Sequence, residues 1–295
     1  MQADVNKMKS HGFNIIRVLV NMNWMLTNSR QNWNGQGNRG FVDCLKDYVA
    51  YAETQGIYIL LVPWQILGAS GPGGSGQSGG ETDPWGISPI STIADFVNWW
   101  GTVATTFAPY SNMLYDLWNE YHGDYDTWLG SGATSAVAQA TTRIRTITQS
   151  PVIVQNGYAG GIDWVPGEWS WLGPLRNIVI SQHIYRVSTF SGFQSSTSKT
   201  QIASVLNNTW GYDSVVGHYP LIIGELGAYI GGAWGDNAAE QTWHQNLLSL
   251  LNDWGVSYAE WIWDMQYNGA YAVQVSPRGS LTWAGQNLVN AIAAG

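Results

Sequence analysis

The feature that most constrains this chain is an alternation. Seven short aliphatic runs, at 13–20, 57–62, 113–118, 151–155, 177–182, 219–227 and 256–261, are separated by stretches long enough for helices. Runs of this length, rich in Ile, Val and Leu and bounded by Gly, Pro or polar residues, are expected to be buried strands. Helices are expected over 2–11, 41–55, 91–107, 133–148, 199–211, 238–254 and 283–293. In the third of these, Ile93, Phe96, Val97, Trp100, Val103 and Ala104 fall on one face. Strand–helix alternation implies parallel strands joined by right-handed crossovers, closed as a barrel or open as a doubly wound sheet. A nucleotide-binding doubly wound sheet carries a glycine-rich phosphate turn after its first strand, and Arg17 through Trp24 contains no glycine. The expectation is therefore an α/β fold of the TIM (β/α)8 type. Such a barrel has eight strands and this chain opens on a helix, so the first strand is expected to be lacking. A length of 295 residues suits one such barrel, and the Gly/Ser-rich stretch 63–86 reads as a long loop within it, so 1–295 is expected to be one domain.

Two of the runs stop abruptly at an acid. MLYDLWNEYHGD, residues 113–124, ends its apolar part at Asn119 and Glu120, and YPLIIGELG, residues 219–227, places Glu225 between two glycines. Parallel barrels keep their chemistry at the C-terminal ends of the strands, so a matched pair of strand-end glutamates is a candidate site. Arg17 lies inside an apolar run, where it must be paired or face a polar cavity. His183 and Tyr185 follow the run 177–182. A satisfied core histidine is the lesser reading of His183, while His122 reads as a loop residue at the cleft edge. His11, His218 and His244 have no partners at metal spacing and read as structural or surface residues. Asp116 and Asp264 read as hydrogen-bonded supports.

Composition narrows the partners. Twelve Lys and Arg stand against 20 Asp and Glu, a formal charge of −8 with no basic cluster, which argues against nucleic acid. Cys44 is the single cysteine, so neither an internal disulfide nor a cysteine metal site is expected. Eighteen Trp and 15 Tyr exceed what a core of this size requires, which leaves flat faces available to sugar rings. No run of 18 apolar residues occurs, so no membrane partner is expected. Met1 leads into a polar, helix-like segment rather than a leader, so secretion, which is expected, would rest on a signal removed beforehand.

Taken in order, these motifs resemble glycoside hydrolase family 5, in the clan of retaining β-glycosidases built on (β/α)8 barrels, and the match runs nearly end to end. GFNIIRV resembles the second-strand pattern, placing Arg17 near the nucleophile; DLWNEYHG resembles the fourth, implying Asn119 as the contact to the sugar 2-hydroxyl and Glu120 as acid/base. His183 and Tyr185 resemble the sixth-strand His-x-Tyr, and IIGELG resembles the nucleophile strand with Glu225 in that role. EWIWD resembles the eighth-strand tryptophan site, with Trp261 under the sugar and Trp263 as the alternative. The chain departs from the pattern at Tyr121, where the family has proline, and at Trp64, where it has histidine and where stacking is expected to replace a polar contact. The resemblance implies a retaining, endo-acting enzyme that cleaves β-1,4-glucan by double displacement with two glutamates. It implies a polysaccharide or oligosaccharide partner, a monomer, and no metal or other cofactor. A mannanase or xylanase of the same clan is the near alternative, and a barrel that binds glycans without cutting them is the alternative from another class.

Overall fold

The computed structural model describes residues 2–32, 37–65, 92–121, 125–155, 170–186, 193, 197–208, 211–230, 237–263, 273 and 279–295. Nine strands are found among them: β1 (Ile15–Asn21), β2 (Arg30–Asn32), β3 (Asn38–Gly40), β4 (Tyr58–Gln65), β5 (Met113–Asp116), β6 (Val152–Gln155), β7 (Ile178–Tyr185), β8 (Leu221–Gly227) and β9 (Ser257–Glu260). The α-helices are α1 (Gln2–Ser10), α2 (Met22–Thr27), α3 (Phe41–Thr54), α4 (Ile93–Phe107), α5 (Ala136–Arg145), α6 (Lys199–Asn208), α7 (Tyr212–Val216), α8 (Asn237–Trp254) and α9 (Trp283–Ala294). Seven strands form one sheet in the order β1-β4-β5-β6-β7-β8-β9, and β2 and β3 form a separate antiparallel hairpin. Strict sequential order is the topology of a (β/α)8-type barrel; a doubly wound sheet reverses its order at a switch point.

The chain divides into two compact units, the first being Met1–Val5, Asn14–Gly160 and Pro166–Ile180, the second Asn6–Phe13, Gly161–Val165 and Ser181–Gly295. In the first, β1 pairs in parallel with β4 from Ile15 opposite Tyr58 onward, β4 with β5 through Ile59 and Met113, and β5 with β6 through Tyr115 and Val152. The unbroken apolar run in β4 has a physical reason: Ile59, Leu60, Leu61 and Val62 are all fully buried, as parallel strands covered on both faces require. Helix α4 contributes Phe96, Trp100, Val103 and Phe107 to the same core, and it starts at a capping box. There Thr92 Oγ1 accepts the Asp95 N–H at 3.2 Å and Asp95 Oδ2 accepts the Thr92 N–H at 3.0 Å.

In the second unit, β8 is buried along its whole length and pairs in parallel with β9 through Ile223 and Tyr258, with a register shift before Leu226 meets Glu260. Helix α8 presents Trp243, Leu247, Leu248 and Leu251 to the core. Residues 6–13, which lead into β1, belong to this unit together with the end of the chain. Lys7 Nζ donates to the Gly279 carbonyl, and Phe13 packs edge-to-face on Trp263 with ring centroids 5.9 Å apart. Gly12 adopts φ +88°, and a β-carbon there would lie 2.8 Å from Ile292 Cγ2, so both conformation and space call for glycine. A helix and its exit, rather than a strand, thus precede β1, and they meet the residues that follow β9.

Some expected boundaries move. The segment 21–40, expected as a polar loop, holds α2 and the β2–β3 hairpin, because its polar residues act locally: Asn21 Oδ1 accepts the Trp24 N–H at 3.1 Å and caps α2. Strand β4 runs past Val62 to Gln65 and so contains Trp64, whose side chain lies outside the described residues. His183 and Tyr185 are inside β7 rather than beyond it. No described helix is long and apolar enough to cross a membrane.

Candidate active site

Within the first unit, the end of β5 carries a connected polar group. Arg17 projects from β1 with its side chain almost fully buried, and its Nη2 donates to Asp116 Oδ2 at 3.2 Å and to Asn119 Oδ1 at 2.7 Å. The apolar run around Arg17 demanded a partner, and Asp116 and Asn119 are among those it finds. Asp116, wholly buried at the last position of β5, also accepts from Gln155 Nε2 on both of its oxygens, at 3.1 and 2.9 Å. Gln155 ends β6, and its Oε1 accepts the backbone N–H of Glu120 at 3.0 Å. Asn119 is tied back to β4 by its own N–H on the Pro63 carbonyl at 3.4 Å. Glu120, half-buried, has φ +50°, in the left-handed region that residues with side chains seldom adopt. Its neighbour Tyr121 stacks on Trp128, centroids 4.6 Å apart and planes 11° from parallel. Both rings are fully buried, so the tyrosine that replaces the family's proline anchors the exit from β5 by packing.

Within the second unit, Glu225 sits near the end of β8, buried except for a small exposed fraction. The Tyr185 hydroxyl donates to Glu225 Oε2 at 2.9 Å, and His183 Nδ1 lies 3.6 Å from the same oxygen. His183 is itself buried, so the histidine that read as either core or site is a buried ring facing the glutamate. Gly224 makes this approach of β8 to β7 possible: a β-carbon there would lie 2.3 Å from Ser181 Oγ and 3.2 Å from His183 Nε2. Trp261 follows β9 half-buried, its N–H on the Leu226 carbonyl at 2.7 Å and its peptide bond to Ile262 cis. Trp263 is the ring against Phe13.

Two buried carboxyl groups of this unit, Glu240 and Glu260, escaped the sequence reading. Glu240, wholly buried on α8, accepts from Arg186 Nη1 at 2.8 Å and from the Tyr229 N–H at 3.2 Å, which ties the residue after Tyr185 to the exit of β8. His244, read as structural or surface, is wholly buried; its Nε2 lies 2.9 Å from Glu260 Oε2 and its Nδ1 2.9 Å from Asn287 Nδ2. Burial raises the Glu260 carboxyl above its ordinary range, an effect that His244 offsets only in part. Both Glu240 and His244 lie on the helical stripe that includes Trp243 and Leu247, and that period was the available signal for burial. His122 and Asp264 lie outside the described residues.

Solved structures match this arrangement of strands and helices. A hyperthermophilic endocellulase from the archaeon Pyrococcus horikoshii superposes with a TM-score of 0.78 at 19% identity, over 99% of this chain and 86% of that one. The class of fold is thus the (β/α)8-type barrel. The sequence carries the assignment further, because the model of one family, Cellulase (glycosyl hydrolase family 5), matches residues 1–267, and the chain belongs to that family. Among curated relatives, Endoglucanase 1 of Robillarda sp. is 28% identical over 52% of this chain and 42% of its own length. Endo-beta-1,4-glucanase B of Emericella nidulans is 26% identical over 62% of this chain and 50% of its own. The matches thus span about half the length of these relatives.

Proposed function

We propose that this chain is a retaining, endo-acting glycoside hydrolase of β-1,4-glucan, with Glu225 as nucleophile and Glu120 as acid/base. The observation that carries the reading is Glu225 itself: a nearly buried strand-end carboxylate whose Oε2 accepts from the Tyr185 hydroxyl at 2.9 Å. A donor on one oxygen favours the ionised form and leaves the other oxygen to attack. In the first step a Glu225 oxygen bonds to the anomeric carbon as the glycosidic C–O bond breaks, and Glu120 gives its proton to the departing oxygen. In the second, Glu120 takes a proton from water, the water oxygen bonds to the anomeric carbon, and the bond to Glu225 breaks. Retention requires the carboxyls roughly 5 Å apart. The two steps return Glu120 to its starting state and use carboxylates alone.

The remaining roles follow the same reading. Asn119, its amide oxygen held by Arg17, is assigned to the sugar 2-hydroxyl, so that its Nδ2 is the atom that faces substrate. Arg17, His183 and Tyr185 order the carboxylates, and Trp64 is assigned to stacking on a sugar. Trp261 is assigned to the sugar at the cleavage point; Trp263, engaged with Phe13, is the weaker candidate. The named relatives are endoglucanases, which favours linear β-glucan over mannan or xylan.

Reducing-sugar release from carboxymethylcellulose, mannan and xylan tests the reading in one assay. The largest rate is expected on carboxymethylcellulose with rapid loss of viscosity, the mark of internal cutting. Cleavage of mannan or xylan alone would overturn the substrate, and binding without cleavage of any would make this a glycan-binding barrel. We further take 1–295 to act as one secreted, monomeric catalytic domain. Light scattering at one chain's mass and a single unfolding transition by fluorescence and circular dichroism are expected, and two separate transitions would contradict it.

Replacing Trp261 with Ala should remove stacking worth about 1 to 3 kcal/mol, by analogy with ring stacking on bases. The loss should appear in kcat/KM on soluble β-glucan. An unchanged value would make this ring part of the core.

A further inference from the structure

We infer that Gln155, which no strand-end motif singles out, is a positioning residue for the Glu120 carboxyl. The inference rests on the reading of Glu120 as acid/base. Gln155 ends β6, is wholly buried, and meets the Glu120 region through its side-chain NH2, its side-chain oxygen and its backbone carbonyl. Its Nε2 donates to both oxygens of Asp116 at 3.1 and 2.9 Å. Asp116, an acceptor when ionised, thereby fixes which way the amide faces: a flipped amide would set oxygen against carboxylate and NH2 against the Glu120 N–H. The Gln155 Oε1 is left to accept that N–H at 3.0 Å. Its backbone carbonyl accepts from Trp128 Nε1 at 3.0 Å, and the Trp128 ring is stacked on Tyr121, the residue after Glu120.

Glu120 is thus bracketed from one residue. Its own N–H ends on the Gln155 side chain, and the next side chain packs on a ring that ends on the Gln155 backbone. The bracket matters because Glu120 holds φ +50°, a conformation that neighbours must impose on a residue with a side chain. Arg17 reaches Asp116 and Asn119, so Gln155 also completes the chain of contacts between the residue before Glu120 and the residue after it. A general acid works only when its proton is aimed at the leaving oxygen, and small misplacements are costly.

The test compares kcat/KM of the full chain on two substrates: cellotetraose, whose sugar leaving group needs a proton, and dinitrophenyl β-cellobioside, whose leaving group does not. Gln155→Met keeps length and volume but removes the side-chain hydrogen bonds. It should lower kcat/KM on cellotetraose by about 10- to 100-fold and leave the dinitrophenyl value nearly unchanged. Equal losses on both, as a generally damaged protein would show, or no loss on either, would overturn the inference. Trp128→Phe, which keeps a stacked ring and removes the donor to the Gln155 carbonyl, should give a smaller split in the same direction. It carries the test if Gln155→Met does not fold, and an equal effect on both substrates would again overturn the inference. Glu120→Ala in the same assays separates the two levels. If it shows no split, the acid/base reading itself fails; if it splits and the Gln155 and Trp128 variants do not, only the positioning role fails.

Discussion

Glu225→Ala is expected to lose activity on polymer, oligosaccharide and activated aryl glycoside alike, by on the order of 10⁴-fold or more. The reason is that no leaving group, however good, substitutes for the carboxylate that must bond to the anomeric carbon. The side chain it removes is nearly buried, accepts from the Tyr185 hydroxyl at 2.9 Å and lies 3.6 Å from His183 Nδ1. A Glu225→Ala variant that retains its rate on dinitrophenyl β-cellobioside, measured after removal of any wild-type trace, would show that this glutamate is not the nucleophile.

The second large effect is on stability. Arg17→Met should destabilise the fold by about 3 to 5 kcal/mol, because it leaves the Asp116 carboxylate buried without its ion-pair partner. Both side chains of this pair are essentially inaccessible, so solvent screening does not reduce the cost. Gln155 Nε2 remains as a donor to Asp116, but an amide does not neutralise a charge. Arg17→Met with Asp116→Asn should recover part of the loss, since the uncompensated charge is then gone. Urea titrations of the four proteins give the comparison, and a single-variant loss under about 1 kcal/mol would mean that the pair is held for catalysis and contributes little to the fold.

The barrel topology was legible because buried parallel strands are written as unbroken apolar runs, and the strand-end placement of both glutamates because a carboxylate that interrupts such a run stands out. Arg17 was legible by the same logic, as a charge in a place where only a partnered charge survives. Gln155 was not, since PVIVQ closes on an amide as many strands do and nothing local says that it faces Asp116 across the sheet. Glu240 and His244 were hidden by distance along the chain: their helical period places them on the buried face, but the partners Arg186 and Glu260 come from other elements. The α2 helix and the β2–β3 hairpin were read as loop because capping and hairpin formation use the same polar residues that loops do. Trp263, the alternative to Trp261 by pattern, also packs on Phe13, a contact between distant parts of the chain that no local pattern encodes.

The central claim is the division of labour between Glu120 and Glu225, and the stereochemistry of azide rescue tests it most directly. With Glu225→Ala, azide can take the vacated side of the sugar and attack once, so the product should be the inverted α-glycosyl azide. With Glu120→Ala, the glycosyl bond to Glu225 forms from an activated substrate and then stalls for lack of a base, and azide attacking that intermediate should give the retained β-glycosyl azide. Proton NMR of the anomeric signal distinguishes the two products within one experiment. Opposite configurations in that order are the predicted result; the reverse order would show that acid/base and nucleophile are exchanged, and the same configuration from both would contradict double displacement by this pair.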